Sequence, residues 1–410
     1  MNKVPGLAPR RAALTLLDAI LRRGQPLESA LGFATRGLDK PEDRALARAI
    51  ASETLRRLPD LDALIDSATR QNLPVDAKAR MVLRLALAQA LVLETPEHAA
   101  VATALPLVDG GPRRLVHGVL GALLRQKAKL PEVPTLPDAA LLRWSAELVT
   151  LAGAAMIAPP VIDLTLRDSR ETQKWTDLLE GESLMPGHVR IPRGPAIPEL
   201  PGYGEGAWWV QNIAAAIPAR LLGAGEGRPA LDLCAAPGGK TMQLAANGWQ
   251  VTAVDQDRGR VVRLEDNLAR TGLSARPVIA DLMRWQPPEP LSAILLDAPC
   301  SSTGIFARHP DVLHRIRPRD ISQLAEQQAA MIRRVAGWLK PDGVLVYATC
   351  SLERPEGEDQ IAVAEAAGLT LSAILPQQVG AGIMPDPKGW LRVLPTNHAD
   401  GFFVARFKRP

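Results

Sequence analysis

The sequence predicts an α/β protein, a doubly wound parallel sheet preceded by an all-helical amino-terminal region. Three observations carry that expectation. Residues 1–130 show helical periodicity and no strand signal, β and α signals alternate from Ala207 onward, and a Lys- and Pro-rich stretch at 127–137 separates the two regimes. At 410 residues with 47% hydrophobic content, the chain is long enough for two or three domains with cores of their own.

The amino-terminal region is rich in Ala, Leu and Arg, with apolar positions at helical spacing such as Met81, Leu85, Ala88 and Val92. Gly24, Pro41, Pro59, Pro74, Pro96 and Gly110-Gly111-Pro112 divide it into about six helices, short enough to pack as a bundle. It is also the basic end. Residues 1–130 hold 20 Lys+Arg against 13 Asp+Glu, while the whole chain carries only +4. The pairs Arg10-Arg11, Arg22-Arg23, Arg56-Arg57 and Arg113-Arg114 are candidate phosphate contacts, although a solvated helix face is the ordinary reading of any one of them. Phe33 is the only aromatic there, so a bundle that binds RNA would do so through the backbone rather than by base stacking.

Residues 138–206 are expected to form a small bridging α+β subdomain, with a helix around 141–151 and strands at 161–166 and 187–191. The apolar stretch 148–162 is too short for a membrane span and is broken by Pro159 and Pro160. With no secretory pattern at the amino terminus, a cytoplasmic location is expected, without membrane attachment. The cysteines, Cys234, Cys300 and Cys350, are odd in number and lack Cys-x-x-Cys spacing, so neither a disulfide framework nor a metal cage is expected.

The sheet is expected within residues 207–410. Strands at 230–233, 250–254, 275–279, 292–296 and 344–348 alternate with helices at 240–246, 258–271 and 321–339, and a hairpin at 391–394 and 402–407 brings the strands to seven.

The first chemical signal is Leu231-Asp232-Leu233-Cys234-Ala235-Ala236-Pro237-Gly238-Gly239-Lys240-Thr241, a strand entering a tight Gly-rich turn that opens a helix. Small residues there let a ligand approach the backbone and the helix amino terminus. A P-loop would need a glycine where Cys234 stands, which sets ATP and GTP behind. Asp255 ends the next apolar run, about twenty residues on, where a carboxylate can accept from both hydroxyls of an adenosine ribose. Asp281 ends the third run and would face the same ligand. A helix cap is the usual role of one such Asp, but a series of them at strand ends points to one site. NAD and S-adenosylmethionine suit this pattern equally.

Leu295-Leu296-Asp297-Ala298-Pro299-Cys300-Ser301 and Tyr347-Ala348-Thr349-Cys350-Ser351 end the fourth and fifth strands. Neighbouring strands lie roughly 5 Å apart, so the two thiols can meet at the ligand-bearing edge. A buried structural cysteine is the ordinary reading of a single Cys and suits Cys234. A thiol pair beside an Asp suits cytosine C5 methylation. C5 does not attack a methyl donor unaided, whereas a thiolate added to C6 makes it electron-rich. Asp297 would stabilise the charge building on the N3 edge, and nearby positive charge such as Lys240 would favour the thiolate.

With Arg308-His309-Pro310-Asp311 and Asp400-Gly401-Phe402-Phe403, these motifs make the chain resemble the RsmB family, also called Sun or Fmu, of bacterial 16S ribosomal RNA cytosine-C5 methyltransferases. The resemblance implies a class I (Rossmann-like) seven-stranded methyltransferase domain behind an all-α NusB-like domain, with S-adenosyl-L-methionine as cofactor and 16S ribosomal RNA as partner; no obligate protein partner is evident. It further implies that Cys234, Ala235, Ala236, Pro237, Gly238, Gly239, Lys240, Asp255, Asp281 and Asp297 contact the cofactor. Cys350 is implied as the nucleophile and Cys300 as the residue promoting product release. Two departures stand out. Gln211-Asn212 replaces the family's usual Gln-Asp pair, and the segment Pro159-Pro160-Val161-Ile162-Asp163-Leu164-Thr165 matches only loosely. Trp208 and Trp209 are expected in the core rather than on a base. Competing readings are a non-catalytic RNA-binding or antitermination factor, for which Cys350 would be dispensable, and an NAD-dependent oxidoreductase, which leaves the cysteine pair unexplained.

Overall fold

The computed structural model describes residues 5–157, 161–192, 194, 196–396 and 399–410, so the Pro159-Pro160 pair lies outside the described residues. The chain packs as two units. One comprises Met1–Ala158 together with Phe306–Arg317, the other Pro159–Ile305 together with Pro318–Pro410.

The helical unit contains α1 (Leu7–Leu21), α2 (Leu27–Ala34), α3 (Pro41–Arg56), α4 (Leu58–Ser67), α5 (Lys78–Leu91), α6 (Glu97–Ala104) and α7 (Gly110–Arg125), then α8 (Asp138–Leu141) and α9 (Ala146–Ala155). The prolines act as helix openers. Pro41 begins α3, Pro59 sits in the first turn of α4, and Pro96 caps α6, positions where a missing N–H costs no hydrogen bond. The stripe Met81, Leu85 and Ala88 belongs to α5, which is buried on every side and forms the centre of the bundle core. Its Arg84 is only 1% exposed and forks onto Asp62 of α4, with Nε and one terminal nitrogen each 2.7 Å from a carboxylate oxygen. The helix expected at 141–151 is instead the pair α8 and α9, because the Ser145 hydroxyl accepts from Leu148 N and starts a new helix.

Residues 306–317, including α14 (Val312–Arg315), complete this unit. Asp311 accepts from Leu27 N at 3.2 Å, Arg56 donates to Ala307 O at 2.8 Å, and the Phe306 ring lies 6.0 Å from that of Trp144. Burial pushes the His314 imidazole down to about 4, so it is neutral, and its Nε2–H donates to Leu55 O at 2.7 Å. The Arg308-His309-Pro310-Asp311 motif thus supplies bundle contacts.

In the second unit, β1 (Ile162–Leu166) pairs antiparallel with β2 (His188–Ile191) and β3 (Trp208–Val210), and α10 (Thr172–Leu178) packs on β2. The large sheet contains β4 (Pro229–Leu233), β5 (Gln250–Asp255), β6 (Arg276–Ile279), β7 (Leu291–Asp297), β8 (Leu339–Thr349), β9 (Thr370–Leu371), β10 (Leu391–Val393) and β11 (Phe402–Lys408). Its order is β10-β11-β8-β7-β4-β5-β6, with β9 also on β11; β4 to β8 are parallel and β11 is antiparallel to β8. All seven strands expected from the sequence are in it. β8 starts five residues early, because its Pro341-Asp342-Gly343 stretch is absorbed as an irregularity in pairing with β7.

Ile294, Leu295, Leu296, Leu345, Val346 and Tyr347 are fully buried, as in a parallel sheet covered on both faces. The covering helices are α15 (Pro318–Ala336) and α16 (Asp359–Ala366) on one face, α11 (Ile213–Arg220) and α12 (Gly239–Ala246) on the other, with α13 (Arg258–Thr271) following β5. Among the described residues, no helix is long and apolar enough to cross a membrane.

Candidate active site

Parallel register carries the chemistry to one edge. Asp232 and Leu233 stand level with Leu295 and Leu296, and Asp297 stands level with Ala348. The loops after β7 and β8 then bring Cys300 and Cys350 together, their sulfurs 3.5 Å apart and both thiols free. The loops are locked at the backbone, where Gly304 N donates to Cys350 O at 3.0 Å and Gly401 N to Gly304 O at 2.9 Å. A Cβ on Gly304 would meet Gly401 O at 1.9 Å, so only glycine fits that crossing.

The two thiols are unequal. A hydrogen bond from Cys300, helped by the Ser302 hydroxyl 3.5 Å away, pulls the Cys350 thiol below its ordinary value against the effect of burial. Donating that hydrogen bond leaves Cys300 raised, and burial raises it further. Lys240 Nζ donates to Asp297 Oδ2 at 2.7 Å and contributes to stabilising a Cys350 thiolate. Burial works against the Lys240 charge, yet Asp297 holds it above the ordinary lysine value. Cys234 is different. Burial pushes its thiol up to about 12, which keeps it protonated and inert.

Cys234, Asp255 and Asp281 line one cleft, together with Val254, Gln256, Arg260, Ala280, Leu282, Pro299, Gln327 and Met331. Asp255 accepts from Ala236 N at 3.1 Å and Asp257 N at 3.0 Å, which fixes its carboxylate at the rim of the Gly-rich turn. Asp281 accepts from Met283 N at 2.9 Å. Ala235 and Ala236 pack into a core cluster, Pro237 is exposed, and Gly238 takes φ +103°, with Leu264 directly beneath it. Of the turn residues, Cys234 lines the cleft and Lys240 faces Asp297, whereas residues 235–239 are not among the residues that line it. Under the turn, Asp232 accepts from Thr241 Oγ1 at 2.5 Å while its other oxygen is buried without a partner among the described residues, and burial raises this carboxyl to about 7.

This donor set discriminates among ligands. Asp255 and Asp281 suit ribose hydroxyls and an adenine amino group, and Val254, Leu282 and Met331 suit a base face. The carboxylates of Asp255 and Asp297 suit a cation such as a sulfonium and repel a triphosphate. Lys240, which a P-loop would aim at phosphate, is already committed to Asp297. The residues fit an adenosine ligand that bears positive charge.

Comparison with known proteins agrees with this geometry. Residues 219–408 match the family model described as 16S rRNA methyltransferase RsmB/F, and residues 7–127 match the NusB family. Ribosomal RNA small subunit methyltransferase B of Xylella fastidiosa is 33% identical over 428 residues, spanning 98% of each chain. The chain belongs to the RsmB/F family. In fold, it is similar to the crystal structure of PH0851, with a TM-score of 0.76, 21% identity and 98% and 99% of the two chains covered. It also resembles NSun6 from Pyrococcus horikoshii, solved with SFG, with a TM-score of 0.59, 18% identity and 67% and 97% coverage.

Within this RsmB/F member, the Asn212 departure has a visible consequence. Asn212 Nδ2 donates to Asp163 at 3.1 Å, and its Oδ1 accepts from Ala214 N and Asp400 N. Asp163, 1% exposed, also accepts from Arg190 at 2.7 and 3.1 Å and from Ile213 N at 2.9 Å. An amide at 212 can donate to that carboxylate, where a second carboxylate would repel it. Trp208 and Trp209 are buried, as expected. The arginine pairs are mostly structural. Arg10 binds Gln89, Arg56 and Arg57 bind backbone carbonyls, and Arg22 and Arg23 pair with Asp18. Arg113 and Arg114 are both exposed, with no ion pair among the described residues. Arg260, Gln327 and Met331 of the cleft were not singled out from sequence, since helix residues of ordinary type give no local signal.

Proposed function

We propose that this RsmB/F methyltransferase transfers a methyl group to C5 of a specific cytosine in 16S ribosomal RNA, through a covalent bond between Cys350 and C6 of the base. The observation that carries the proposal is the thiol pair at 3.5 Å, with Cys350 the more acidic member and the Lys240–Asp297 pair beside it. S-adenosylmethionine is the methyl donor and supplies an electrophilic methyl group when bound. Cys234, the turn from Ala235 through Pro237, Gly238 and Gly239 to Lys240, and the carboxylates of Asp255, Asp281 and Asp297 form its seat.

Cys350, as thiolate, forms a bond to C6 and makes C5 electron-rich. Asp297, with Lys240 behind it, hydrogen-bonds the N3 edge of the base as that edge takes up a proton from solvent, which offsets the charge that builds there. After C5 has gained its methyl group, its proton must leave before the Cys350–C6 bond can break. Cys300, beside the attacking sulfur, assists that release. The exposed Arg113 and Arg114 and the basic helical region supply backbone contacts to the RNA.

The test is a pair of variants. Cys350→Ala abolishes methylation, and Cys300→Ala accumulates a protein–RNA adduct seen as a slow band with labelled RNA on a denaturing gel. Methylation by the Cys350→Ala protein would overturn the assignment. Bisulfite sequencing of ribosomal RNA from cells with and without the protein identifies the cytosine by its loss of protection.

A further inference from the structure

Behind the two thiols lies a carboxylate that the reaction scheme does not use. Glu356 is fully buried in a short turn after β8. Its Oε1 accepts from Ser301 N at 2.8 Å and Gln328 Nε2 at 3.1 Å, and its Oε2 accepts from Ser351 Oγ at 2.5 Å and from Ser301 Oγ. Ser301 and Ser351 are the residues that directly follow Cys300 and Cys350. One side chain therefore grips both cysteine loops. Its own backbone is held in turn, since Tyr347 Oη donates to Glu356 O at 2.8 Å and Thr349 Oγ1 does so at 3.2 Å. Gln328 extends the clamp to Pro299 O at 2.9 Å. Every group bonded to the carboxyl oxygens is a donor, which is the pattern an acceptor-only carboxylate requires.

We propose that Glu356 is a positioning residue of the two-thiol centre, fixing the separation of the cysteine loops and keeping the shared proton of the pair on Cys300. The charges around the centre are arranged in two groups. Lys240 from α12 and Asp297 from β7 face Cys350, while Glu356 and the Tyr347 phenol lie toward Cys300. From β10, Arg392 is spent on Glu358, at 3.0 and 2.7 Å, and on the Ser351 carbonyl. The Glu356 charge is among the leading causes that raise Cys300, whereas the leading charges at Cys350 are those of Asp297 and Lys240. A negative charge on one side of a pair that shares one proton decides which sulfur keeps it.

This rests on the reading of Cys350 as nucleophile, but its test needs no RNA, so the two fail separately. The full chain is treated with limiting iodoacetamide across pH 6–10, and alkylation of Cys300 and Cys350 is quantified by peptide mass spectrometry. In the wild type, Cys350 is alkylated first, and its midpoint lies at the lower pH. Glu356→Gln keeps the shape and removes the charge, lowering the Cys350-to-Cys300 ratio roughly tenfold at an effective dielectric of about 20. Glu356→Asp, which restores the charge, recovers selectivity. Ser351→Ala cuts one arm of the clamp without touching the charge and retains it. An unchanged ratio in a folded Glu356→Gln protein overturns the proposal. So does a wild type in which Cys300 reacts at the lower pH, a result that requires no variant to fold.

Discussion

Replacing Lys240 by Met removes the charge at the centre of the site while keeping most of the side-chain length. At 2.7 Å and an effective dielectric of about 20, the attraction between Lys240 and Asp297 is about 6 kcal/mol before desolvation is counted. Removing one member of a buried pair costs about 3–5 kcal/mol, and because Asp297 is 30% exposed, water reduces the expected loss to the lower end, about 3 kcal/mol. In a unit of this size, that lowers Tm by roughly 6–12 °C. Lys240 is raised in the folded state, so its contribution is complete below the ordinary lysine value and fades only as pH climbs through the folded one. The gap in Tm between the two proteins is therefore constant across the neutral range and closes in alkali. Chemistry shifts too. Cys350 loses a stabilising charge, and its alkylation midpoint moves up by about one pH unit, equivalent to about 1.4 kcal/mol. Thermal melts at several pH values and iodoacetamide mapping read both effects. A Lys240→Met protein with unchanged Tm and an unchanged Cys350 midpoint would refute the reasoning.

Asp255→Ala removes the carboxylate that fixes the rim of the cleft, and affinity for S-adenosylhomocysteine falls about tenfold to a hundredfold by titration calorimetry, the loss of one or two hydrogen bonds to a charged group. Gly304→Ala forces the Gly401 backbone away from the Cys350 loop, costing about 1–3 kcal/mol in a melt and slowing methylation out of proportion to that loss. Burial alone would raise the Asp163 carboxyl, but hydrogen bonds from His188 and Arg190 outweigh it and bring it down to about 2. Its stabilisation, about 2 kcal/mol, is complete above the ordinary Asp value near 4 and is lost as pH falls toward 2. The Tm advantage of wild type over Asp163→Asn therefore shrinks across that window.

What could be read in the sequence was whatever local pattern dictates. Strand-end residues such as Asp255, Asp297 and Cys350 follow apolar runs whose direction in a parallel sheet is fixed, so their convergence on one edge followed from chain topology alone. β3 was not marked as a strand, because Trp208 and Trp209 occupy a three-residue run that pairs with β1, about forty residues earlier. The arginine pairs stayed ambiguous for a related reason: that Arg10 meets Gln89 depends on a residue 79 positions away. Glu356 carried no signal at all. A glutamate in a polar loop looks solvated until its four donors are seen.

The crossing of residues 306–317 into the bundle sets an order on synthesis. A chain made from its amino end usually completes its first domain before the next emerges. Here the seat formed by Leu27, Leu55 and Trp144 stays open until β7 and the Cys300 loop have left the ribosome, because the residues that fill it come afterwards. A fragment cut at residue 158 would carry that gap permanently, with apolar surface bare and polar groups unmet. Autonomous expression of the helices alone is thus a poor route to their properties, and grafting residues 306–317 onto the fragment's carboxyl end is the better one.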